Sequence, residues 1–253
     1  VVYPGAGNLG GGGFIVAHFK NGQNIALDYR ETAPAKAHKD MYLDSNGNAV
    51  TEWSQLGHLA SGTPGTVAGL FAAHKYAKLP FKKLIAPAIR LAENGFAVSE
   101  REAASLNDAK EDFLQLNKFQ TAFTKEGDWK AGDILVQKDL ANTLKRIGDF
   151  GQKGFYEGAT AKLIEEDMRQ NGGIITTNDL KNYKAKERSA INFHYKGYQV
   201  LTMPLPSSGG IILQQMMGMV ENRKIGNMKF QTAASVQLMV EAERRAFADR
   251  AEF

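Results

Sequence analysis

Residues 5–34, GAGNLGGGGFIVAHFKNGQNIALDYRETAP, combine a glycine-rich run with two short apolar segments joined by Asn21-Gly22. The first six letters fit the dinucleotide-binding pattern G-x-G-x-x-G, which needs a buried strand before the glycines and a helix after them. Here only four residues precede Gly5, and the glycines lead into the apolar, β-branched run 14–19. Asn-Gly between two such runs is a strong hairpin signal. The stretch therefore predicts a β-hairpin and argues against a nicotinamide cofactor.

Composition excludes several classes of protein. Of 253 residues, 43% are hydrophobic and 23% are charged, which is typical of a soluble globular protein. The net charge of +4 is spread over the chain without long basic runs, so no nucleic-acid partner is expected. The absence of cysteine excludes disulfides, thiolate nucleophiles and cysteine metal sites. No apolar run is long enough to predict a membrane span.

The order of strands and helices along the chain indicates the fold class. The hairpin supplies two strands near the start, and two more are expected over Ile191–Tyr195 and Tyr198–Met203. Helical patterns fill most of the chain between these pairs, although residues 35–62 are polar and irregular. Segregated strands and helices predict an α+β fold rather than alternating βαβ units.

Several helix ends can be predicted from local signals. Thr63 is a candidate N-cap, with Pro64 following it, for a helix over Thr66–Tyr76. The next predicted helix, Phe81–Asn94, ends at a glycine in the usual way. Residues 99–102, Ser-Glu-Arg-Glu, form a capping-box pattern for a third helix.

Both ends of the sequence suggest a piece of a longer protein. The first residue is Val1 rather than methionine, and the amphipathic helix predicted over 232–253 has no stop signal. We therefore expect residues 1–253 to be a single domain segment, truncated at both ends.

Most residues that could carry chemistry have a structural explanation. The five histidines, at positions 18, 38, 58, 74 and 194, show no metal-binding spacing. Ser207-Ser208-Gly209-Gly210 lacks the G-x-S-x-G pattern of a nucleophile, and a serine N-cap followed by close helix packing explains it. The carboxylate pairs Glu165-Glu166 and Glu241/Glu243 fall on predicted helices as solvated faces. We expect no metal site and no acid–base dyad.

The run Asp28-Tyr29-Arg30-Glu31 is the exception, because it ends the second predicted strand. Arginine offers a planar, permanently charged fork that matches a carboxylate or a phosphate. The alternative is an edge-strand arginine paired with Glu31. The spacing of these residues does not choose between a binding arginine and a structural one.

Taken together, GGGGF, DYRETAP, SGTPGTVAGL, PSSGG, LAENGF and VEAERRAFADRAEF resemble the large subunit of bacterial γ-glutamyltranspeptidases. The resemblance runs through essentially the whole chain. Its most specific motif is D-x-R-E-x-A-P, which is complete from Asp28 to Pro34. The sequence departs from the family pattern at Asn8, usually glycine, and at Leu205, where many members have a run of prolines.

The resemblance implies the four-layer αββα sandwich of the N-terminal-nucleophile hydrolases. It implies a precursor that cuts itself into a large and a small subunit, and a threonine nucleophile at the new N-terminus of the small subunit. The implied reaction transfers a γ-glutamyl group from glutathione or a related compound to water, an amino acid or a peptide, without metal or organic cofactor. A periplasmic or secreted location is also implied.

The resemblance assigns one functional residue to this chain. Arg30 matches the arginine that binds the α-carboxylate of the donor, and Asp28 and Glu31 are candidates for orienting it. No catalytic residue is expected here, since Val1 is not a nucleophile and the last threonine, Thr232, is predicted to lie inside a helix.

Three alternatives to γ-glutamyl transfer remain open. Cephalosporin acylases and poly-γ-glutamate depolymerases share the implied fold, and the residues that distinguish them belong mostly to the small subunit. A non-catalytic binding homologue without the nucleophile is the third.

Overall fold

The computed structural model describes residues 1–117 and 119–252, and it is a mixture of helices and short strands. The strands are β1 Phe14–His18, β2 Asn24–Asp28, β3 Phe96–Ala97, β4 Ile134–Leu135, β5 Lys186–Arg188, β6 Ile191–Tyr195 and β7 Tyr198–Thr202. The α-helices are α1 Thr51–Gln55, α2 Thr66–His74, α3 Phe81–Asn94, α4 Glu100–Asp108, α5 Lys110–Leu116, α6 Lys138–Phe150, α7 Lys153–Tyr156, α8 Gly158–Gln170, α9 Thr177–Asn182, α10 Gly209–Glu221 and α11 Ala233–Glu252. Short 3₁₀ turns lie at His58–Ala60 and Ile225–Asn227. This content confirms the predicted α+β class.

The chain divides into two compact units. The first comprises Val1–Gly13 and Tyr29–Ala185, and the second comprises Phe14–Asp28 and Lys186–Phe253. The predicted hairpin therefore belongs to the second unit, although the residues on both sides of it belong to the first. Within the described part of the chain, no helix is both long enough and apolar enough to cross a membrane.

The second unit is built on an antiparallel sheet in the order β1-β2-β5. The hairpin is confirmed: Phe14 pairs with Asp28 and His18 with Asn24, and Gly22 turns the chain with a φ of 85°. Apolar β2 is the buried central strand. Strand β5 was not predicted, because the sequence Lys-Glu-Arg carries no apolar alternation.

The second unit also contains the predicted β6–β7 hairpin, followed by α10 and α11. The close helix packing expected at this point is confirmed, since a methyl group on Gly210 would overlap the carbonyl oxygen of Met203. The capping role expected of the serines is wrong. Ser208 occupies the N-cap position, but its hydroxyl accepts a hydrogen bond from Arg250 Nε instead of capping α10.

The first unit is mainly helical, and its core lies between α2, α6, α7, α8 and α9. Buried residues from these helices and the segments beside them form one apolar cluster: Val67, Ala68, Ile147, Phe155, Tyr156, Ala161, Ile175, Leu180 and Tyr183. Helix α3 has the predicted bounds, Phe81–Asn94. The capping box of Ser99 with Glu102 is confirmed, and Thr176 with Asp179 forms a second one at the start of α9.

Three local predictions are wrong. Helix α2 begins at Thr66 with Gly65 as its N-cap, because Thr63 instead pairs in a β-bridge with Thr32. The irregular stretch 35–62 contains α1 and a 3₁₀ turn. Thr232 lies just before α11, where its hydroxyl accepts a hydrogen bond from the backbone of Ser235.

Candidate functional site

The segment Tyr29–Thr32, which carries Arg30, lies in the first unit between two other backbone segments. Tyr29 exchanges backbone hydrogen bonds with Gly13, at 3.0 and 3.3 Å. Thr32 exchanges another pair with Thr63, at 2.8 and 3.2 Å. The glycine run therefore holds one end of the segment and the SGTPGT run holds the other. The Arg30 side chain leaves this framework at an exposed position.

Glycine is required where these backbones approach each other. A Cβ atom on Gly12 would lie 2.5 Å from the carbonyl oxygen of Tyr29 and 2.9 Å from Cα of Arg30. On Gly65 it would overlap the same Tyr29 oxygen, and on Gly69 it would overlap the Tyr29 ring. The overlaps at Gly12 and Gly65 involve backbone atoms of the arginine segment, so they could be relieved only by moving that backbone. Gly12, Gly65 and Gly69 therefore allow the arginine segment to pack closely. None of them belongs to the dinucleotide pattern, whose glycines at positions 5, 7 and 10 would meet nothing closer than 3.7 Å with an added Cβ atom.

The two flanking segments are also bonded to each other. The carbonyl oxygen of Gly11 accepts hydrogen bonds from the backbone nitrogens of Gly65 and Thr66, at 2.9 and 3.0 Å. The Thr66 hydroxyl donates to the carbonyl oxygen of Asn8 at 2.8 Å. Orphan N–H groups at the start of α2 are thus satisfied by the glycine run. Asn8, one of the two departures from the family pattern, contributes through its backbone.

The other two predicted residues of the motif have different surroundings. Glu31 is exposed, and its side chain lies against Gly62 and Gly12. Asp28 is 6% exposed at the end of β2 in the second unit. One of its carboxylate oxygens accepts a hydrogen bond from Arg188 Nε at 2.8 Å and forms an ion pair with Arg188 Nη2 at 2.7 Å. Asp28 therefore joins β2 to β5. An orienting role for Asp28 or Glu31 stays a prediction.

Two tyrosines complete the framework, and no sequence pattern pointed to either of them. Tyr183 donates a hydrogen bond from its hydroxyl to the carbonyl oxygen of Arg30 at 2.7 Å. Tyr156 stacks on it and donates to the carbonyl oxygen of Pro64 at 2.9 Å. Both rings are buried in the apolar core of the first unit.

The remaining candidates make contacts within the protein, but Glu165 does not lie on the solvated face predicted for it: it is half-buried and accepts a hydrogen bond from the Thr177 nitrogen at 2.9 Å. His18 and His194 lie on strands, Glu166 pairs with Arg169, and Glu241 pairs with Arg244 and Arg245. His58 is bonded to Asp167, with 2.9 Å between Nε2 and Oδ2. Residues 1–117 and 119–252 contain no group of three or more acidic, histidine or cysteine side chains able to hold a metal ion.

Stability is expected to fall as the pH rises from 10 toward 12. Burial raises the pKa of Tyr156 from 10.0 to about 12, against the opposing effect of a hydrogen bond from the Ala68 nitrogen. Over this window the folded chain retains a proton that the unfolded chain releases, so alkali favours unfolding. Urea unfolding of wild type and Tyr156→Phe, between about pH 9 and 12, measures the effect. The variant should lose stability less steeply, and equal slopes would contradict this assignment.

Replacing Thr63 by valine is expected to stabilise the chain by about 1 kcal/mol. Thr63 is 1% exposed, and its hydroxyl has no hydrogen-bond partner among the described residues. Valine removes that buried polar group at nearly constant shape. The control is Thr66→Val, which breaks the bond to Asn8 and should cost about 1–3 kcal/mol. Urea unfolding measures both variants, and a loss of stability in Thr63→Val would show that the hydroxyl is satisfied.

Comparison with solved structures defines the class of fold. The structure matches Helicobacter pylori γ-glutamyltranspeptidase with a TM-score of 0.96 and 48% identity, covering 99% of this chain and 73% of that one. It also matches a cephalosporin acylase from Bacillus halodurans with a TM-score of 0.81 at 21% identity, covering 98% of this chain and 46% of that one, a likeness of fold alone. These matches confirm the predicted fold, that of the αββα N-terminal-nucleophile hydrolases.

Sequence comparison identifies the family within that class. The family profile described as Gamma-glutamyltranspeptidase matches residues 1–253. The glutathione hydrolase proenzymes of Escherichia coli (strain K12) and Pseudomonas aeruginosa (strain PAO1) are 47% and 43% identical over 256 residues, covering all of this chain. The chain belongs to the γ-glutamyltranspeptidase family. It spans 44% and 45% of the lengths of these two relatives.

Proposed function

We propose that this chain is the large-subunit part of an enzyme that transfers γ-glutamyl groups from glutathione or related donors to water, amino acids or peptides. The observation that carries the proposal is the exposed Arg30 on a tightly held backbone segment, in a chain that matches the family over its whole length. An arginine at an exposed position on a fixed backbone can present its planar, charged fork to an anionic substrate group.

Arg30 selects the γ-linkage through the charge of the donor. A glutamyl group bonded through its side-chain carbonyl keeps a free α-carboxylate, whereas an α-linked glutamyl group has used that carboxylate in the bond. The guanidinium fork can donate two parallel hydrogen bonds to the free carboxylate. The distance between the α-carboxylate and the γ-carbonyl then fixes where the scissile bond lies relative to Arg30.

The nucleophile belongs to the companion small subunit in this proposal. The hydroxyl of its N-terminal threonine attacks the γ-carbonyl carbon, and the threonine α-amine accepts the hydroxyl proton. The carbon–nitrogen bond of the donor breaks, and the leaving amine takes up a proton. Water or an amine acceptor then attacks the ester and restores the free threonine. This sequence uses no metal or organic cofactor.

The same proposal includes the origin and location of the two chains. Relatives of this chain are named proenzymes, which supports a precursor that is cut, by its own activity, into two subunits. The partner is thus the small subunit of the same precursor, and no nucleic acid takes part. Export to the periplasm or the medium is proposed from the location of bacterial family members.

The proposal is tested with γ-glutamyl-nitroanilide and the complete two-chain protein, with glycylglycine present and absent. Nitroaniline release without acceptor indicates hydrolysis, and its increase with glycylglycine indicates transfer. The matched control substrate is α-glutamyl-nitroanilide, which lacks the free α-carboxylate and should release little. Absence of release from the γ-linked substrate, with both chains confirmed by mass, would overturn the proposal. Equal release from both substrates would overturn the role of the α-carboxylate.

A further inference from the structure

We propose that Tyr183 is a positioning residue for Arg30 and thereby sets the preference for donors that carry an α-carboxylate. The proposal rests on the proposed function and deepens it. Tyr183 is 9% exposed and follows α9, and its hydroxyl donates to the carbonyl oxygen of Arg30 at 2.7 Å. The bond joins positions 153 residues apart in the sequence.

The bond lies between two backbone pairs of the arginine segment. Tyr29 is paired with Gly13, and Thr32 is paired with Thr63, so the two ends of the segment are fixed by other backbone groups. Arg30 lies between these pairs, and Tyr183 donates a hydrogen bond to its carbonyl group. Loss of the hydroxyl would remove this hydrogen bond from the peptide plane directly beside the Cα atom from which the Arg30 side chain extends.

Tyr183 is itself held from two sides. Its ring stacks on Tyr156, with centroids 5.9 Å apart and planes 11° from parallel. The Tyr156 hydroxyl donates to Pro64 O at 2.9 Å and accepts from the Ala68 nitrogen at 3.2 Å. The stacked pair thus bonds the arginine segment on one side and the start of α2 on the other. A methyl group on Gly65 would overlap the Tyr183 hydroxyl, so the fit around that hydroxyl is close.

Helix α9 determines where the Tyr183 side chain contacts the arginine segment. The Asp179 carboxylate in its first turn accepts a hydrogen bond from the Ala35 nitrogen at 2.8 Å, and it also takes part in the capping box with Thr176. Two hydrogen bonds therefore join α9 to the chain around Arg30. Asp179 in the first turn of the helix bonds Ala35, and Tyr183, the residue after the last turn, bonds Arg30. A rigid support of this kind suits a residue that acts through another.

The experiment compares two donors in the complete two-chain enzyme. γ-Glutamyl-nitroanilide carries the α-carboxylate, and 4-aminobutanoyl-nitroanilide has the same chain without it. In Tyr183→Phe we expect kcat/KM for the first donor to fall about three- to tenfold, mainly through KM, as for the loss of one hydrogen bond. With the second donor it should stay within about twofold of wild type. The ratio of the two values does not depend on the amount of folded enzyme, so a less stable variant still gives an answer.

Two further variants separate positioning from general damage. Tyr198→Phe removes a hydroxyl from a tyrosine that is 75% exposed on β7, and it should leave the donor ratio unchanged. In an Arg30→Lys background, Tyr183→Phe should add little, because the fork it positions is already absent. Equal losses with both donors, or full additivity with Arg30→Lys, would overturn the positioning role. A wild-type enzyme that fails to release nitroaniline from γ-glutamyl-nitroanilide would instead overturn the proposed function.

Discussion

Replacing Arg30 by alanine is expected to lower kcat/KM for γ-glutamyl-nitroanilide by roughly 30- to 4,000-fold, or about 2–5 kcal/mol. The loss follows from leaving the α-carboxylate of the bound donor without its charged partner, since in the proposed complex the donor desolvates this ion pair. It should be measured in the complete two-chain enzyme by initial rates over a range of donor concentrations. Because the arginine acts on a group remote from the scissile bond, part of the loss is expected in kcat as well as in KM.

Two control variants define what an Arg30 effect means. Arg30→Lys keeps the charge and loses the planar fork, so it should fall between wild type and Arg30→Ala. Arg101→Ala removes an exposed arginine from α4, outside the arginine segment, and should leave the kinetics near wild type. Wild-type kinetics in Arg30→Ala would exclude the residue from the donor site, and equal effects of Arg30→Ala and Arg101→Ala would point to a nonspecific charge effect.

Replacing Gly65 by alanine is expected to destabilise the chain by about 3 kcal/mol, at the upper end of overpacking effects. The added methyl group would overlap the Tyr29 carbonyl oxygen and the Tyr183 hydroxyl together. Neither neighbour is the free end of a flexible side chain, since one is backbone and the other is a buried ring bonded to Arg30. The backbone segment that carries Arg30 must therefore move. Urea unfolding gives the loss of stability, and nitroanilide release should fall in the same variant.

The matched control for Gly65 is Gly148→Ala in helix α6 of the same unit. A methyl group there would meet Ile85 and Lys82 side-chain carbons at 3.7 and 3.8 Å, which are ordinary contact distances. Alanine also has the higher helix propensity, so this variant should be neutral or more stable by up to about 1 kcal/mol. Comparable losses in the two glycine variants would contradict the steric argument.

Features decided by neighbouring residues could be predicted from the sequence. Asn21-Gly22 between two apolar runs was sufficient to predict the β1–β2 hairpin. The spacing of Ser99 and Glu102 was likewise sufficient to predict a capping box. The end of α3 before Gly95 is of the same kind. Each of these features depends on bonds that span only a few residues, so its signal is contained in one short window of sequence.

Features decided by distant residues could not be predicted. Thr63 is a residue type that favours the N-cap position, but it pairs with Thr32 in a β-bridge and does not cap α2. Ser208 is also an N-cap residue type, but its hydroxyl accepts a hydrogen bond from Arg250 of α11 instead of capping α10. The polar triplet of β5 becomes a strand only because β2 offers it a partner edge. In all three cases a tertiary contact overrode the local preference.

The sequence by itself determined the family, the hairpin and the choice of Arg30 as the candidate binding residue. The Asn-Gly turn and the D-x-R-E-x-A-P motif each consist of residues that are consecutive in the chain, so each can be recognised without the structure. Only the tertiary structure decided how Arg30 is held. Its backbone is enclosed by glycines from two other segments and bonded to Tyr183, 153 residues away. A hydrogen bond over that separation depends on where folding places α9, and no local pattern of residues encodes it.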